Sequence, residues 1–291
     1  MTVKFLNSSD RRWPAPAKLN LFLHVLNRRD DGYHEIQTLF QLIDFCDQLQ
    51  FEILENGDIS RPEGNYGVDE LDDLVVRAAK LLQSRTHCRS GAIIKVEKNI
   101  PLGAGLGGGS SDAATTLLAL NSLWGCGLSL TELASLGTEL GADVPVFVRG
   151  HSAMATGIGE KLQIEKLGNR HYVLVFSSLR ISTEAIFNHS DLSRSSNLIA
   201  RELAIKNGGI NDCEPVVCSL YPEYETWLNG LKKWGKPRMT GTGSCVFLPM
   251  NDKKAAIDAA DEIKCRYNVR AVRGIDESPV HEMLGYSFSN A

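Results

Sequence analysis

The sequence predicts an α+β protein, and three observations support this fold class. Its 291 residues allow two domains or one large one, and we adopt two, 1–160 and 161–291. Alternating apolar runs typical of strands are mixed with apolar residues at helical spacing along both halves. A glycine-rich segment, PLGAGLGGGSSDAA at 101–114, separates a predicted strand from a predicted helix. We therefore expect helices and strands in each domain.

Composition narrows the function classes. The chain is 43% hydrophobic and 23% charged, as in ordinary globular proteins. Its net charge is -4 and its basic residues are dispersed, so we expect no nucleic-acid partner.

Seven cysteines without a CxxC pair indicate reduced thiols. The N-terminal segment MTVKFLNSSDRRWP is too polar for a secretory signal, and no run has the length of a membrane span, so we expect a cytoplasmic protein without a membrane partner. The oligomeric state is not predictable.

The first predicted strand is at 17–25, AKLNLFLHV. Strict alternation would place Lys18, Asn20, Phe22 and His24 on its more polar face. The segment RRDDGYHE at 28–35 predicts a loop, and 36–42 a returning strand.

Further elements follow from periodicity and capping signals. The first half should continue with a helix over 71–82, a strand at 92–96, a helix from Ser111, a helix from the Ser129 and Glu132 capping box to Gly141, and a buried strand at 144–148. In the second half we predict strands at 172–176, 238–249 and 269–274, and helices around 196–206, 222–234 and 252–266.

The glycine-rich segment is typical of a phosphate-binding loop. Glycines allow positive φ and close backbone approach, so successive N–H groups can converge on an anion. A helix that follows directly adds unpaired N–H donors and a positive dipole end, which favour phosphate at Ser110 and Ser111. Five glycines in seven positions outweigh a simple flexible turn.

Other glycine-loop classes fit less well. Gly103, Gly105 and Gly108 satisfy GxGxxG, but no second strand with an acidic end follows, as a dinucleotide fold requires. The P-loop needs a lysine that this segment lacks, and protein kinases need HRD and DFG motifs. The residues alone therefore support phosphate binding and no more.

Three motifs in order resemble the GHMP superfamily of galactokinase, homoserine kinase, mevalonate kinase and phosphomevalonate kinase. They are PAKLNLFL at 16–23, the glycine-rich loop, and TGTGSCVF at 240–247. The resemblance implies an N-terminal ribosomal-protein-S5-like domain, a C-terminal ferredoxin-like domain, and an active site in the cleft between them.

Within the superfamily, the segment at 16–44, the loop and GADVPVF at 141–147 resemble the 4-diphosphocytidyl-2-C-methylerythritol kinase family. The resemblance implies transfer of the γ-phosphoryl group of ATP, with Mg²⁺, to the 2-hydroxyl of that cytidyl substrate in non-mevalonate isoprenoid synthesis. Asp73 departs from the pattern, because the family is expected to have asparagine there.

The resemblance also implies site residues. Asp143 would act as base, held rigidly before the predicted strand by Pro145, and Lys18 would keep it ionised and stabilise developing charge. Substrate would be bound by Asn20, Tyr33, His34, Phe187, Thr240, Gly241 and Gly243. ATP would be bound by Pro101, Leu102, Gly103, Ala104, Gly105, Leu106, Gly107, Gly108, Gly109, Ser110 and Ser111. Asp112 is explained as a favourable charge near the helix start, and the histidines show no metal-ligand spacing.

Three alternatives remain at this level. A GHMP kinase for homoserine or mevalonate would share the ATP loop, whereas DGYHE favours the cytidyl substrate. An oxidoreductase using GxGxxG would carry nicotinamide or flavin. A regulator would bind ATP without turnover.

Overall fold

A computed structural model describes residues 11–62 and 67–286. Its strands are β1 Trp13–Arg28, β2 His34–Leu54, β3 Ile59–Ser60, β4 Gly91–Glu97, β5 Ala153–Thr156, β6 Lys161–Ile164, β7 His171–Phe176, β8 Arg238–Met239, β9 Val246–Met250 and β10 Asn268–Ile275. Its helices are α1 Leu74–Thr86, α2 Gly108–Leu123, α3 Leu130–Leu140, α4 Val144–Arg149, α5 Thr183–Asn188, α6 Arg201–Asn207, α7 Glu214–Leu220, α8 Pro222–Leu231, α9 Lys253–Ile263 and α10 Pro279–Leu284. The predicted α+β class is confirmed.

The strands form one sheet in the order β3-β4-β2-β10-β7-β9-β8, and β1, β5 and β6 pair beside that path. All pairs are antiparallel except β3 with β4. The 21-residue strand β2 pairs with β1, β4, β5 and β10. Since β10 belongs to the second half of the chain, the sheet hydrogen-bonds the two halves together.

Three apolar clusters form the core. One lies between α1–α4 and strands β1, β2 and β4, and it surrounds α2, whose residues 111–121 are all buried. A helix that is buried on every side needs no polar face, which explains the sequence AATTLLAL. The second cluster fills the C-terminal half, and the third joins the halves through residues such as Leu19, Leu39 and Phe247. The boundary near residue 160 stays a prediction.

Strand β1 departs from the predicted strict alternation. Its register with β2 shifts between Asn20 and Leu23. As a result Leu23 lines the same cavity as Lys18 and Asn20, whereas Phe22 packs with Leu19 in the cluster between the halves. A bulge adds one residue and reverses the alternation of faces beyond it.

The predicted strand at 144–148 is wrong, because these residues form helix α4. Five apolar residues are compatible with either element, and periodicity cannot separate them. Pro145 lies in the first helical turn, where its missing N–H costs nothing, and Gly150 ends the helix with φ +68°. Asp143 therefore precedes a helix, with φ -85° and ψ -11° rather than extended geometry.

Smaller boundary differences also bear on the site. His34 is the first residue of β2 rather than a loop residue, and the helix after the glycine loop begins at Gly108 instead of Ser111. The predicted strand at 238–249 is a hairpin, β8 and β9, broken by the turn 240–245. In the described ranges, no helix is long and apolar enough to cross a membrane. Most of the polar N-terminal segment lies outside those ranges.

Candidate active site

A cavity of about 400 Å³ opens where the glycine loop, β1, the start of α4 and the β8–β9 turn meet. Its wall includes ten consecutive residues, 101–110, from the glycine loop and the first turn of α2. Other lining residues are Lys18, Asn20, Leu23, Ile36, Phe40, Leu74, Lys98, Ala142, Asp143, Ile158, Thr183, Phe187, Gly241 and Thr242. The cavity therefore collects residues from both halves of the chain.

The glycine loop has the backbone geometry of an anion site. Gly103, Gly105 and Gly107 have positive φ, and Gly107 is the N-cap of α2. Since the first intrahelical acceptor is used by the N–H of Ser111, the three N–H groups of Gly108–Ser110 have no partner within the helix. A Cβ on Gly107 would lie 2.9 Å from the Phe147 ring. The loop thus presents backbone donors, and Gly107 cannot carry a side chain unless Phe147 moves.

The β8–β9 turn packs directly on this loop. The Cys245 N–H donates to the Ala104 carbonyl at 3.2 Å, and the Thr240 hydroxyl donates to the Gly105 carbonyl at 3.3 Å. A Cβ on Gly105 would lie 2.2 Å from the Thr240 carbonyl oxygen. The Asn211 amide holds the turn from outside by donating to the carbonyls of Met239 and Gly241. Asn211 therefore braces the turn and is not among the cavity's lining residues.

Lys18 and Asp143 form an ion pair on the cavity wall, with Nζ and Oδ2 3.2 Å apart. The ammonium also donates to the Asn20 Oδ1 at 2.5 Å and to the Gly105 carbonyl at 3.2 Å. Asn20 is held in turn by its amide donating to Thr38 Oγ1 at 2.9 Å. The Lys18 side chain is 3% exposed, whereas that of Asp143 is 34% exposed. A fixed, buried cation therefore orients a carboxylate that solvent or a ligand can reach.

Three of the candidate substrate-binding residues, Tyr33, His34 and Phe187, lie toward the far end of β1, where Arg28 pairs with His34. Phe187 lines the cavity, and the His34 ring lies 5.2 Å from its ring. Arg194 donates from Nε to Nε2 of His34 at 3.1 Å, so Nε2 carries the lone pair. Burial lowers the pKa of His34, and the charges of Arg194 and Arg28 lower it further, so the ring is neutral at pH 7. His34 and the 57% exposed Tyr33 are not lining residues.

The remaining site residues from the sequence differ in placement. Ser110 lines the cavity, whereas the Ser111 hydroxyl is fully buried without a hydrogen-bond partner among the described residues. Thr240 is buried beneath the turn, where its hydroxyl accepts from the Asn20 N–H at 2.9 Å. Gly241 lines the cavity and Gly243 does not.

A buried cluster beside the cavity was not anticipated. Lys98 lines the cavity and pairs with Asp47 and, at 2.7 Å, with Asp112. Asp112 thus accepts a hydrogen bond from Lys98 and is not only a charge near a helix end. Asp47 also accepts from the backbone N–H groups of Asn99 and Ile100, just before the loop. The spacing of these three residues along the chain gives no local signal, so sequence reasoning missed the cluster.

Replacing Asp112 with asparagine is expected to flatten the pH dependence of stability. Burial raises the pKa of Asp112 to about 8, with Lys98 opposing the shift and Asp47 adding to it. The folded protein therefore holds this proton more tightly than the unfolded chain, and it loses that stabilisation as the pH rises through about 8. Between about pH 5 and pH 8, the wild type should lose roughly 1–3 kcal/mol more unfolding free energy than the variant, as measured by urea unfolding. Equal losses would contradict this assignment.

Asp73, which stands where the family is expected to have asparagine, pairs with a nearby arginine. Asp73 caps α1 by accepting from the Val75 N–H at 3.0 Å, and its Oδ2 lies 2.6 Å from Arg61 Nε. Both side chains are buried, so Arg61 balances the charge that asparagine would not carry. The next residue, Leu74, lines the cavity.

Two histidines and a glutamate lie close together outside the cavity. His151, Glu277 and His281 each offer a ligand atom, all within 4.8 Å of one another, although their positions along the chain show no ligand spacing. A ring nitrogen of each histidine bonds a backbone carbonyl, that of Asp276 for His151 and that of Val148 for His281. None of the three residues lines the cavity, so the group lies outside the candidate active site.

The fold and the glycine-loop site are those of a GHMP kinase, an ATP-dependent small-molecule kinase. The model of the GHMP kinases N terminal domain matches residues 73–151, and that of the GHMP kinases C terminal domain matches residues 186–269. These matches lie on either side of the predicted domain boundary.

Within this superfamily the chain belongs to the 4-diphosphocytidyl-2-C-methyl-D-erythritol kinase family, as its motifs predicted. It is 46% identical to the kinase of that name from Pasteurella multocida (strain Pm70), over 94% of this chain and 92% of the relative. It is 49% identical to the one from Nitrosococcus oceani, over 85% and 88%. A crystal structure of 4-(cytidine 5'-diphospho)-2C-methyl-D-erythritol kinase is 33% identical, with a TM-score of 0.79 over 91% of this chain and 99% of that one. A mevalonate kinase structure, 14% identical with a TM-score of 0.65, shares the fold.

Proposed function

We propose that this chain transfers the γ-phosphoryl group of ATP to the 2-hydroxyl of 4-diphosphocytidyl-2-C-methyl-D-erythritol, giving the 2-phosphate and ADP. The observation that best supports this activity is the Lys18–Asp143 ion pair, which lies in the same cavity as the glycine loop. Family membership supports the choice of substrate. The absence of a membrane-spanning helix in the described residues is compatible with a cytoplasmic enzyme.

The glycine loop fits the phosphates of ATP. Gly105 and Gly107 let the loop pack against Thr240 and Phe147, where a Cβ would clash, and the N–H groups of Gly108–Ser110 are the donors that an anion requires. Magnesium would enter with the nucleotide and neutralise charge on its phosphates. Asp143 and Ser110 supply oxygen atoms of the type that Mg²⁺ prefers at this part of the cavity.

Asp143 is proposed to accept the proton of the attacking hydroxyl. As the oxygen bonds to the γ-phosphorus, the bond to the β-phosphate oxygen breaks and ADP leaves with its electron pair. Lys18 contacts Asp143 and the Gly105 carbonyl, so its charge lies between the base and the phosphate loop. In this position it favours the ionised carboxylate and stabilises negative charge during transfer.

The cytidyl group is proposed to bind toward His34 and Phe187. Phe187 offers a ring on the cavity wall, and the neutral His34 ring beside it has polar atoms suited to a base edge. Tyr33 adjoins this end of the site. Asn20, Thr240, Gly241 and Gly243 belong to the end at which the β8–β9 turn meets β1.

Purified protein should release ADP from ATP and Mg²⁺ with the cytidyl substrate and not with homoserine or mevalonate. A coupled ADP assay with all three alcohols at equal concentration measures this directly. Activity confined to homoserine or mevalonate would overturn the choice of substrate. ATP binding without turnover on any alcohol would instead favour a regulator, and bound nicotinamide or flavin absorbance would favour an oxidoreductase.

A further inference from the structure

A second recess, here called the basic recess, lies in the C-terminal half and has a volume of about 450 Å³. Its wall carries four basic side chains, Arg170, Lys206, Lys236 and Arg238, and the His171 ring. The other lining residues are Leu21, Asn169, Tyr172, Asn207, Gly208, Phe247, Pro249, Met250 and Asn251. Among the described residues, no carboxylate lines it. Such a charge balance is unusual in a chain whose net charge is -4.

The two arginines are fixed by neutral partners. Arg238 donates to the Gly209 carbonyl at 2.7 Å and also to the Leu21 carbonyl. Arg170 donates to the carbonyls of Leu167, at 3.3 Å, and Ile205, at 2.8 Å. Carbonyls satisfy individual N–H groups but carry no formal charge, so they do not neutralise the two guanidinium groups. Each guanidinium has five N–H donors, so each retains donors beyond these two bonds.

The recess is shaped around Arg238. Gly208 has φ +62°, and a Cβ there would lie 2.4 Å from a guanidinium nitrogen of Arg238. The Arg238 guanidinium also lies 5.4 Å from the centre of the Phe247 ring. The nearby carboxylate of Glu214 accepts from the Met239 N–H at 2.9 Å and does not line the recess. The guanidinium therefore occupies a fitted position rather than a mobile surface site.

Two partly buried like charges repel each other, and an anion bound between them offsets this repulsion. Burial lowers the pKa of Arg238, with Tyr172 and Glu214 opposing the shift and Arg170 adding to it. Lys206 and Lys236 are exposed at the rim, where their flexible ammonium groups can close on a ligand. A single carboxylate would neutralise one of four charges, whereas a phosphate or diphosphate neutralises more and accepts paired bonds from arginine.

We propose that the basic recess is a binding site for a small anion that carries a phosphate or diphosphate group, separate from the active-site cavity. The recess and the cavity share none of their lining residues. They are adjacent in sequence at two places, where Leu21 follows Asn20 and Arg238 precedes the β8–β9 turn. The inference goes beyond the proposed function and does not depend on it.

Inorganic pyrophosphate is the probe that tests this site. Titration of the full chain by calorimetry, with one equivalent of ADP per chain present to occupy the glycine loop, should show pyrophosphate uptake by the wild type. The double variant Lys206→Ala/Lys236→Ala should bind it at least about tenfold more weakly at low salt. Both lysines are exposed and make no hydrogen bond in the described structure that folding would require. Kinase turnover should be unchanged, because neither residue lies in the active-site cavity.

Lys80→Ala is the matched control, because Lys80 is an exposed lysine on α1 that does not line the recess. It should bind pyrophosphate like the wild type. Equal affinity and stoichiometry in the wild type and the double variant would overturn the proposal. So would the absence of pyrophosphate uptake by the wild type with one equivalent of ADP per chain. Since this comparison does not measure phosphoryl transfer, its failure is distinguishable from failure of the proposed kinase activity.

Discussion

Replacing Asp143 with asparagine is expected to lower kcat about a thousandfold while ATP affinity changes only a few-fold. Asparagine keeps the shape of the side chain and can still face Lys18, but it cannot accept the proton of the substrate hydroxyl. The glycine loop, which is proposed to hold the phosphates, is built from backbone groups that the substitution leaves in place. Steady-state kinetics together with nucleotide titration separate the two effects.

Asp252→Asn provides the control for this experiment. Asp252 also precedes a helix, and its carboxylate accepts from the Ala255 N–H at 2.8 Å, far along the chain from the cavity. Asparagine caps helices as well as aspartate does, so this variant should keep wild-type turnover. Unchanged kcat in Asp143→Asn would refute the assignment of the base. If Lys18→Met and the double variant Lys18→Met/Asp143→Asn each lower kcat about as much as Asp143→Asn alone, the two residues act as a unit.

Replacing Gly105 with alanine is expected to raise KM for ATP more than about tenfold and to lower stability by roughly 3 kcal/mol. The new Cβ would lie 2.2 Å from the Thr240 carbonyl oxygen and 3.0 Å from that of Gly243. Both contacts are with backbone, so the glycine loop and the β8–β9 turn must move apart. Urea unfolding and ATP titration measure the two losses.

Gly103→Ala is a control matched for backbone strain. Gly103 has φ +66°, close to the φ +73° of Gly105, but nothing lies within 4 Å of its virtual Cβ. Its substitution should cost only the strain of a positive φ, about 1 kcal/mol. If the two variants lose equal stability and ATP affinity, contact between loop and turn is not what makes Gly105 necessary.

Local patterns predicted much of this fold. The alternation of β1, the capping box of α3 and the glycines of the loop are each encoded within a few residues, and each corresponds to an element in the structure. The segment at 144–148 failed because a short apolar run fits a buried strand and a buried helix equally well. The bulge in β1 was also unpredictable, since it depends on pairing with β2.

The site was predictable where a motif is contiguous. The glycine loop follows from the residues, and Lys18 and Asp143 follow from resemblance; the structure then places the two side chains 3.2 Å apart. Their roles remain predictions that the variants above test. Contacts between distant segments left no trace in the pattern. Lys98 with Asp47, and Arg194 with His34, join residues 51 and 160 positions apart. Pairings of this kind require the folded chain.

The hairpin of β1 and β2 has a consequence for how substrate size is selected. Lys18 lies on β1, and His34 is the first residue of β2. The phosphoryl-transfer end of the site and the proposed cytosine-binding end therefore belong to one continuous hairpin. Arg194 ties His34 to the C-terminal half, and β10 joins β2 by backbone hydrogen bonds. No rotation of one domain against the other can change the span between the two ends without breaking these bonds. A substrate would therefore be selected by its length. An analogue with a shorter link between the cytosine and the hydroxyl could contact either the cytosine-binding end or the phosphoryl-transfer end, but not both together.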